Sequence, residues 1–298
     1  MSMAIELHRL TKSYGKQRGI EDISLTIEKG EVLGFLGPNG AGKTTCIRTL
    51  MGLIKATSGS ATILGENALQ APASLRSRIG YLPGVFAVYE NYTALELLRF
   101  ISKMRGINCD AEIQKFAQRL NLDLHRHVHD LSKGNRQKVG VIQAFMHNPE
   151  VLFLDEPTSG LDPLVQREFE LILDEAKARG AAVVLSSHVM SEVEHLADRV
   201  AIINEGKLLV VEQISVLKQK TRQQIYLTFK APIDQSNFIS IAGVSDVRSR
   251  GNEISLDIVG EETQILRKAV ELGVVSIRTH EPSLDEIFMS IVSEGSPQ

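Results

Sequence analysis

The stretch "GFLGPNGAGKTT" (34–45) constrains the fold of this chain more than any other. Before it, "EVLGFL" (31–36) is a short, nearly all-apolar run, the pattern of a parallel strand covered on both faces. After it, "TTCIRTLMGL" reads as a helix. Gly37, Pro38, Asn39, Gly40, Ala41, Gly42, Lys43 and Thr44, with Thr45 following, match the phosphate-binding loop at every specified position. Glycines let the backbone turn N–H groups inward onto phosphate oxygens, and the following helix points its positive end at the same anion. Lys43 is then placed to reach the outer phosphates, and the Thr44 hydroxyl to ligate magnesium. The full pattern in a strand–loop–helix setting sets aside a chance glycine turn.

A second stretch, "VLFLDEPTSGLDP" (151–163), supplies carboxylates. Four apolar residues make another buried strand, and two acids follow at its carboxyl end, where open α/β sheets bind ligands. Asp155 is placed to hold magnesium, and Glu156 to orient and deprotonate an attacking water. The bland alternative is that the pair caps the next element. A further strand, "AAVVLSSH", ends in His188, a residue that by itself is more often structural than catalytic.

Composition narrows the class. The 298 residues suffice for one large domain or a large and a small one, and two domains are expected. A formal net charge of -3, without a long Lys/Arg block, argues against a nucleic-acid partner. Cys46 and Cys109 lack metal-type spacing and form no disulfide framework, which fits a reducing compartment. No run reaches about 18 apolar residues and the N-terminus lacks a signal-peptide core, so the chain is expected to be soluble by itself.

In order along the chain stand Tyr14 in "TKSYG", the phosphate loop, "GYLPG", "LSKGN", the acidic strand, "SGLD" and His188. Over roughly residues 5–217 this set resembles the ATP-binding cassette (ABC) ATPases, the engines of ABC transporters. The resemblance implies an α/β fold: a P-loop NTPase with a mainly parallel sheet core, an N-terminal antiparallel β subdomain and a helical subdomain. It also implies that Tyr14 stacks on adenine, that Ser132, Gly134 and Asn135 form the signature, that Asp162 is the D-loop aspartate, and that His188 senses the terminal phosphate. Its cofactors are ATP and Mg2+.

The signature heads a helix read from Asn135 to His147, with Val139, Ile142 and Met146 at helical spacing. Its exposed N-terminus is a second anion site, and in the resembled family a second copy supplies the anion: two cassettes face head to tail, each closing its signature on the other's ATP. The resemblance thus implies a homodimer with an integral membrane permease, cytoplasmic and peripheral on the inner face of the cell membrane. Departures mark a subclass. Lys133 and Asn135 replace a glycine and a glutamine of the usual signature, and Gly84 stands where a glutamine is common. Some type-2 exporters look similar there, and weak coupling of this loop to catalysis would leave ATPase activity little changed in Gly84→Gln.

Between that loop and the signature, Thr93 and Glu96 form a capping box opening a helix with Leu95, Leu98 and Ile101 on one face. Ile113, Phe116, Ala117 and Leu120 form a second stripe; both are read as core, and Gly84 to Tyr92 as the surface facing the membrane subunit. The histidines of "HRHVH" (125–129) lack a carboxylate or thiolate partner of obvious spacing and are read as solvated. After about Leu217, "KQKTRQQ" looks like a linker. Alternating Ile225, Leu227, Phe229 and Ile254, Leu256, Ile258 then predict strands, and Ser283 with Glu286 a second capping box. This segment resembles C-terminal extensions of type-2 exporter ATPases and has a docking, dimer-stabilising or regulatory role, or a purely structural one.

The expected organisation is an ATPase domain over 1–220, its helical subdomain at about 85–147, and a small α+β domain over 221–298. The expected function is ATP hydrolysis powering an exporter. Two alternatives are a soluble ABC ATPase acting on ribosomes or DNA, disfavoured by a single cassette without a long coiled coil, and a catalytically weak regulatory cassette, disfavoured by intact Lys43, Asp155, Glu156 and His188.

Overall fold

The computed structural model describes residues 2–15, 17–84, 91–220, 223–260, 262–280 and 283–294. The chain forms two compact units, Met1–Val211 and Glu212–Gln298.

In the first unit a six-stranded sheet runs in the order Lys207–Gln213, Arg199–Asn204, Val32–Leu36, Ala182–Ser187, Val151–Asp155, Ile79–Leu82. The five strands from Arg199–Asn204 to Ile79–Leu82 pair in parallel. Val32–Leu36, Val151–Asp155 and Ala182–Ser187 are buried along their whole length, which is why their sequences run apolar instead of alternating. This order brings the carboxyl ends of all three to one edge, and the phosphate loop leaves from Val32–Leu36.

A second, antiparallel sheet holds Gln17–Glu28, Met3–Tyr14, Ser58–Ile63 and Glu66–Asn67. The helix after the phosphate loop, Lys43–Leu50, buries Cys46, Ile47 and Leu50 in one core with Ile5, Ile20 and Ile27 of this sheet and Phe35 and Phe153 of the parallel one. Apolar side chains from both sheets thus fix the axis whose N-terminus faces the site.

Helices Ala94–Met104, Asp110–Arg119 and Lys133–Phe145 pack together as the helical segment. Thr93 and Glu96 exchange both hydrogen bonds of the capping box. The buried line on this helix is Ala94, Leu97, Leu98 and Ser102. Leu95 and Ile101 are half-buried at its edge, so the predicted stripe is rotated by less than one residue's arc of about 100°. Ile113, Phe116, Ala117 and Leu120 are all buried. The signature helix begins at Lys133, earlier than apolar spacing places it, because the Ser132 hydroxyl accepts from the Asn135 N–H at 3.3 Å and caps it. Most of the expected membrane-facing stretch, 85–90, lies outside the described residues; Tyr92 is exposed and stacks on Phe100 with ring centres 6.1 Å apart. His125, His127 and His129 are exposed around buried Val128.

The second unit is a four-stranded antiparallel sheet in the order Val244–Arg250, Glu253–Ile258, Gln223–Phe229, Val274–His280. Helices Ser236–Ile239 and Thr263–Glu271 connect its strands in a split βαβ pattern. Ile225, Leu227, Phe229, Ile254, Leu256 and Ile258 form its core with Phe238, Ile265 and Ala269. The stretch expected as a linker divides between the helix Ile214–Lys220 and the strand beginning at Gln223. Ser283 and Glu286 form the second capping box ahead of the helix Leu284–Glu294.

Candidate active site

A cleft of about 370 Å3 opens where the phosphate loop meets the acidic strand. Asn39, Gly40, Ala41, Gly42, Lys43, Thr44 and Thr45 line one wall, and Gly84, Asp155 and Glu156 the other. Gly37 is buried and Pro38 is exposed on the approach to that wall. Gly42 caps the helix at φ 111°, and a Cβ there would stand 2.8 Å from Ile20 Cγ2. Conformation and space therefore both demand glycine at this turn.

Lys43 is 7% exposed, and its ammonium donates to the Gly37 carbonyl at 2.5 Å and the Pro38 carbonyl at 3.2 Å. Burial pulls its pKa below the usual lysine value, and the nearby Glu156 and Asp155 carboxylates oppose that shift. The cation is thus held at the loop by main-chain oxygens, close to two acids.

Asp155 is 5% exposed and fully engaged. One carboxylate oxygen accepts from Thr44 Oγ1 at 2.9 Å, and the other accepts from the Ser186 hydroxyl. A Cβ at Gly84 would stand 3.3 Å from Asp155 Oδ2, so the loop with the unusual glycine abuts this carboxylate directly. Thr44 and Asp155 offer the hard oxygen donors that Mg2+ prefers.

Glu156 adopts a left-handed backbone, φ 54°. Its N–H donates to Ser186 O at 2.9 Å, and its carboxylate meets His188 Nδ1 at 2.6–2.7 Å. With Nδ1 protonated, the imidazole donates and fixes the carboxylate's direction. The same carboxylate borders a second cleft of about 510 Å3, shared with His188 and Glu192. Glu192 accepts from Ser187 Oγ at 2.6 Å and Thr158 Oγ1 at 2.7 Å; burial raises its pKa, against the pull of those bonds.

Ser132, Gly134, Asn135 and Asp162 do not line the phosphate cleft. Asp162 caps the helix Pro163–Ala178 through the N–H groups of Leu164 and Val165, both at 3.1 Å. Tyr14 also stands outside the cleft lining, exposed at the end of its strand with the Lys12 ammonium 4.9 Å from its ring centre. The signature instead leans on the loop after Glu156: Lys133 Nζ lies 3.1 Å from Ser159 Oγ, and a Cβ at Gly134 would stand 2.5 Å from the Gly160 carbonyl oxygen.

Three polar residues at the site escape sequence reading. Arg48 lines the phosphate cleft from the loop helix, Gln137 donates from the signature helix to the Glu156 and Pro157 carbonyls, and Glu192 anchors the end of the His188 strand. None stands in a motif, and each finds its partners through the fold.

The sequence profile of a family described as "ABC transporter" matches residues 20–159, and one described as "ATP-binding protein DrrA1-3-like, C-terminal domain" matches 213–292. The bacitracin transport ATP-binding protein BcrA of Bacillus licheniformis is 36% identical over 99% of this chain and 99% of its own. The linearmycin resistance ATP-binding protein LnrL of Bacillus subtilis (strain 168) is 30% identical over 96% of this chain and 97% of its own. A solved ATP-binding subunit of an ABC transporter superposes with a TM-score of 0.68 at 29% identity, over 72% of this chain and 92% of that one. An α/β P-loop fold with this cleft is common to many activities, but identity sustained from one end of the chain to the other makes it a member of the ABC transporter ATP-binding proteins.

Proposed function

We propose that the chain hydrolyses ATP with Mg2+ to drive export through a separate integral membrane permease, acting as a head-to-tail homodimer on the inner face of the cell membrane. The hydrolytic reading is carried by one observation. Glu156, held by His188 at 2.6–2.7 Å, follows directly on Asp155, which is bonded to Thr44 of the phosphate loop.

In this reading Gly37 to Gly42 turn the backbone of the loop around the phosphates, and Lys43 and the N-terminus of Lys43–Leu50 supply positive charge. Thr44 and Asp155 hold magnesium, which when bound neutralises the phosphate charge. Glu156 takes the proton of the attacking water. His188 keeps that carboxylate aimed and is the side chain assigned to the terminal phosphate. Tyr14 offers an exposed ring to adenine.

The dimeric arrangement is supported by the place of the signature. Ser132 and Asn135 sit at an accessible helix N-terminus but away from their own chain's phosphate cleft, as expected if they serve the nucleotide of a second copy together with Asp162. Export and the permease partner are supported by the relatives' names, one of which refers to bacitracin transport and another to linearmycin resistance. No helix among the described residues is long and apolar enough to cross a membrane.

Steady-state ATP hydrolysis tests the chemistry. The wild-type chain is expected to turn over ATP only with Mg2+, and Glu156→Gln to lose at least about 10²-fold in kcat while still binding ATP. Equal turnover in the two proteins would overturn the assignment of Glu156.

A further inference from the structure

Gln137 is 6% exposed, yet it carries no part of the phosphate cleft. From the signature helix its carboxamide nitrogen donates to the Glu156 carbonyl at 3.0 Å and to the Pro157 carbonyl at 2.9 Å. These carbonyls follow the acidic strand at the point where Glu156 turns through φ 54°. A non-glycine residue keeps such a backbone only where its surroundings hold it there.

The polar groups of Glu156 go to three different places. Its N–H is bound by Ser186 of the neighbouring strand, its carboxylate by His188, and its carbonyl by Gln137 at 3.0 Å and, from within the loop, by the Ser159 N–H at 3.2 Å. Without the carboxamide, the Pro157 carbonyl loses this donor, the Glu156 carbonyl keeps only the Ser159 N–H at 3.2 Å, and the left-handed turn loses one of its restraints. Lys133 and Gly134, at the tip of the same helix, already rest on Ser159 and Gly160 of this loop. Gln137 adds the deeper connection, to the catalytic residue itself.

We propose that Gln137 is a positioning residue for Glu156 of its own chain. Given the dimeric reading above, on which this relay rests, the helix tip that closes on a second copy's ATP and the carboxylate that deprotonates the water attacking the chain's own ATP then move as one body. Nucleotide binding does not pass through Gln137, so its effect belongs to kcat and not to KM.

Gln137→Met keeps the length of the side chain and removes the donor. In the full-length chain kcat is expected to fall on the order of tenfold to a hundredfold, as for a misplaced catalytic group, with KM for ATP within about twofold. An unchanged kcat, or a loss shared with ATP binding, would overturn the proposal. Gln137→Glu provides a second variant should the methionine chain not fold. Relative to wild type its turnover is expected to drop at alkaline pH and recover as pH falls, because only a protonated carboxyl donates to a carbonyl. Loss of equal size at every pH would count against the proposal.

Mixed dimers separate positioning from simple bracing of the helix. When one chain carries Glu156→Gln, the single working site uses Glu156 of the other chain and the signature of the Glu156→Gln chain. Gln137→Met is expected to abolish most remaining turnover when placed on the chain with intact Glu156, and to leave it unchanged on the other. A loss in the second placement would mean that Gln137 serves the signature, and the proposal would fall. If ATP assembles no mixed dimer, the dimeric reading fails by itself, and kcat against KM in the uniform protein still decides the role of Gln137.

Discussion

Glu156 joins two demands that pull against each other. Its carboxylate must face His188, and the backbone that delivers it there is left-handed, φ 54°, a conformation that costs a non-glycine residue about 1–3 kcal/mol. The strain can be measured. Glu156→Gly is expected to be more stable than Glu156→Ala by about 1 kcal/mol in urea unfolding, with both inactive; equal stabilities would mean that the turn is unstrained. Gly134 illustrates the opposite constraint, since a methyl group there would lie 2.5 Å from the Gly160 carbonyl oxygen. Gly134→Ala is therefore expected to push the signature off the loop that follows Glu156. Turnover should fall at least about tenfold, while binding of a fluorescent ATP analogue to the chain's own phosphate loop is unchanged. Weakened binding to that loop would place the signature's role elsewhere.

The elements are legible in the sequence to unequal degrees. The phosphate loop, the acidic strand, both capping boxes and the alternating strands of the second unit can be read because each is a local pattern, with chemistry and backbone geometry within a few neighbouring residues. Gln137, Glu192 and Arg48 cannot, because a buried or cleft-facing polar side chain has no local signature. Gln137 meets partners 19 and 20 positions away and Thr158 meets Glu192 across 34, through the strand order. The helix Ala94–Met104 is predicted with its buried face rotated, since apolar spacing marks a broad face and packing selects its centre. Weak coupling of the Gly84 loop is expected because glycine stands where the resembled family commonly has a glutamine, and that local departure does not reveal that a Cβ at Gly84 would stand 3.3 Å from Asp155 Oδ2. Two measurements belong at this scale. Thr93→Ala, which removes half the capping box, is expected to cost about 1 kcal/mol of stability with little change in turnover. His147, just beyond the signature helix, has its pKa lowered to about 4, chiefly by burial and then by Arg105. Its unfolded value is higher, so its contribution is present above about pH 6.5 and is lost as pH falls toward 4. Over that window the wild type should lose stability relative to His147→Asn, by roughly 2–3 kcal/mol. Parallel curves for the two proteins would remove His147 from the acid response.

At the scale of the whole molecule, the chain is a cassette with a site half built. One copy supplies the phosphate loop, Asp155, Glu156 and His188, and presents a signature that its own cleft does not use. In the proposed function, ATP is the adhesive between two copies and hydrolysis the release. The Glu156→Gln chain is expected to sediment as a monomer without nucleotide and as a dimer with ATP and Mg2+, and a monomer under both conditions would contradict the composite site. In the proposed function this cycle drives a membrane permease. That coupling is tested most directly by isolating the chain from membranes in mild detergent, identifying what accompanies it by mass spectrometry, and assaying ATP turnover on the same sample. A polytopic membrane protein is expected in the preparation, with turnover that disappears in Glu156→Gln. A chain recovered with ribosomes or nucleic acid and no membrane protein would keep the cassette and contradict its role in transport.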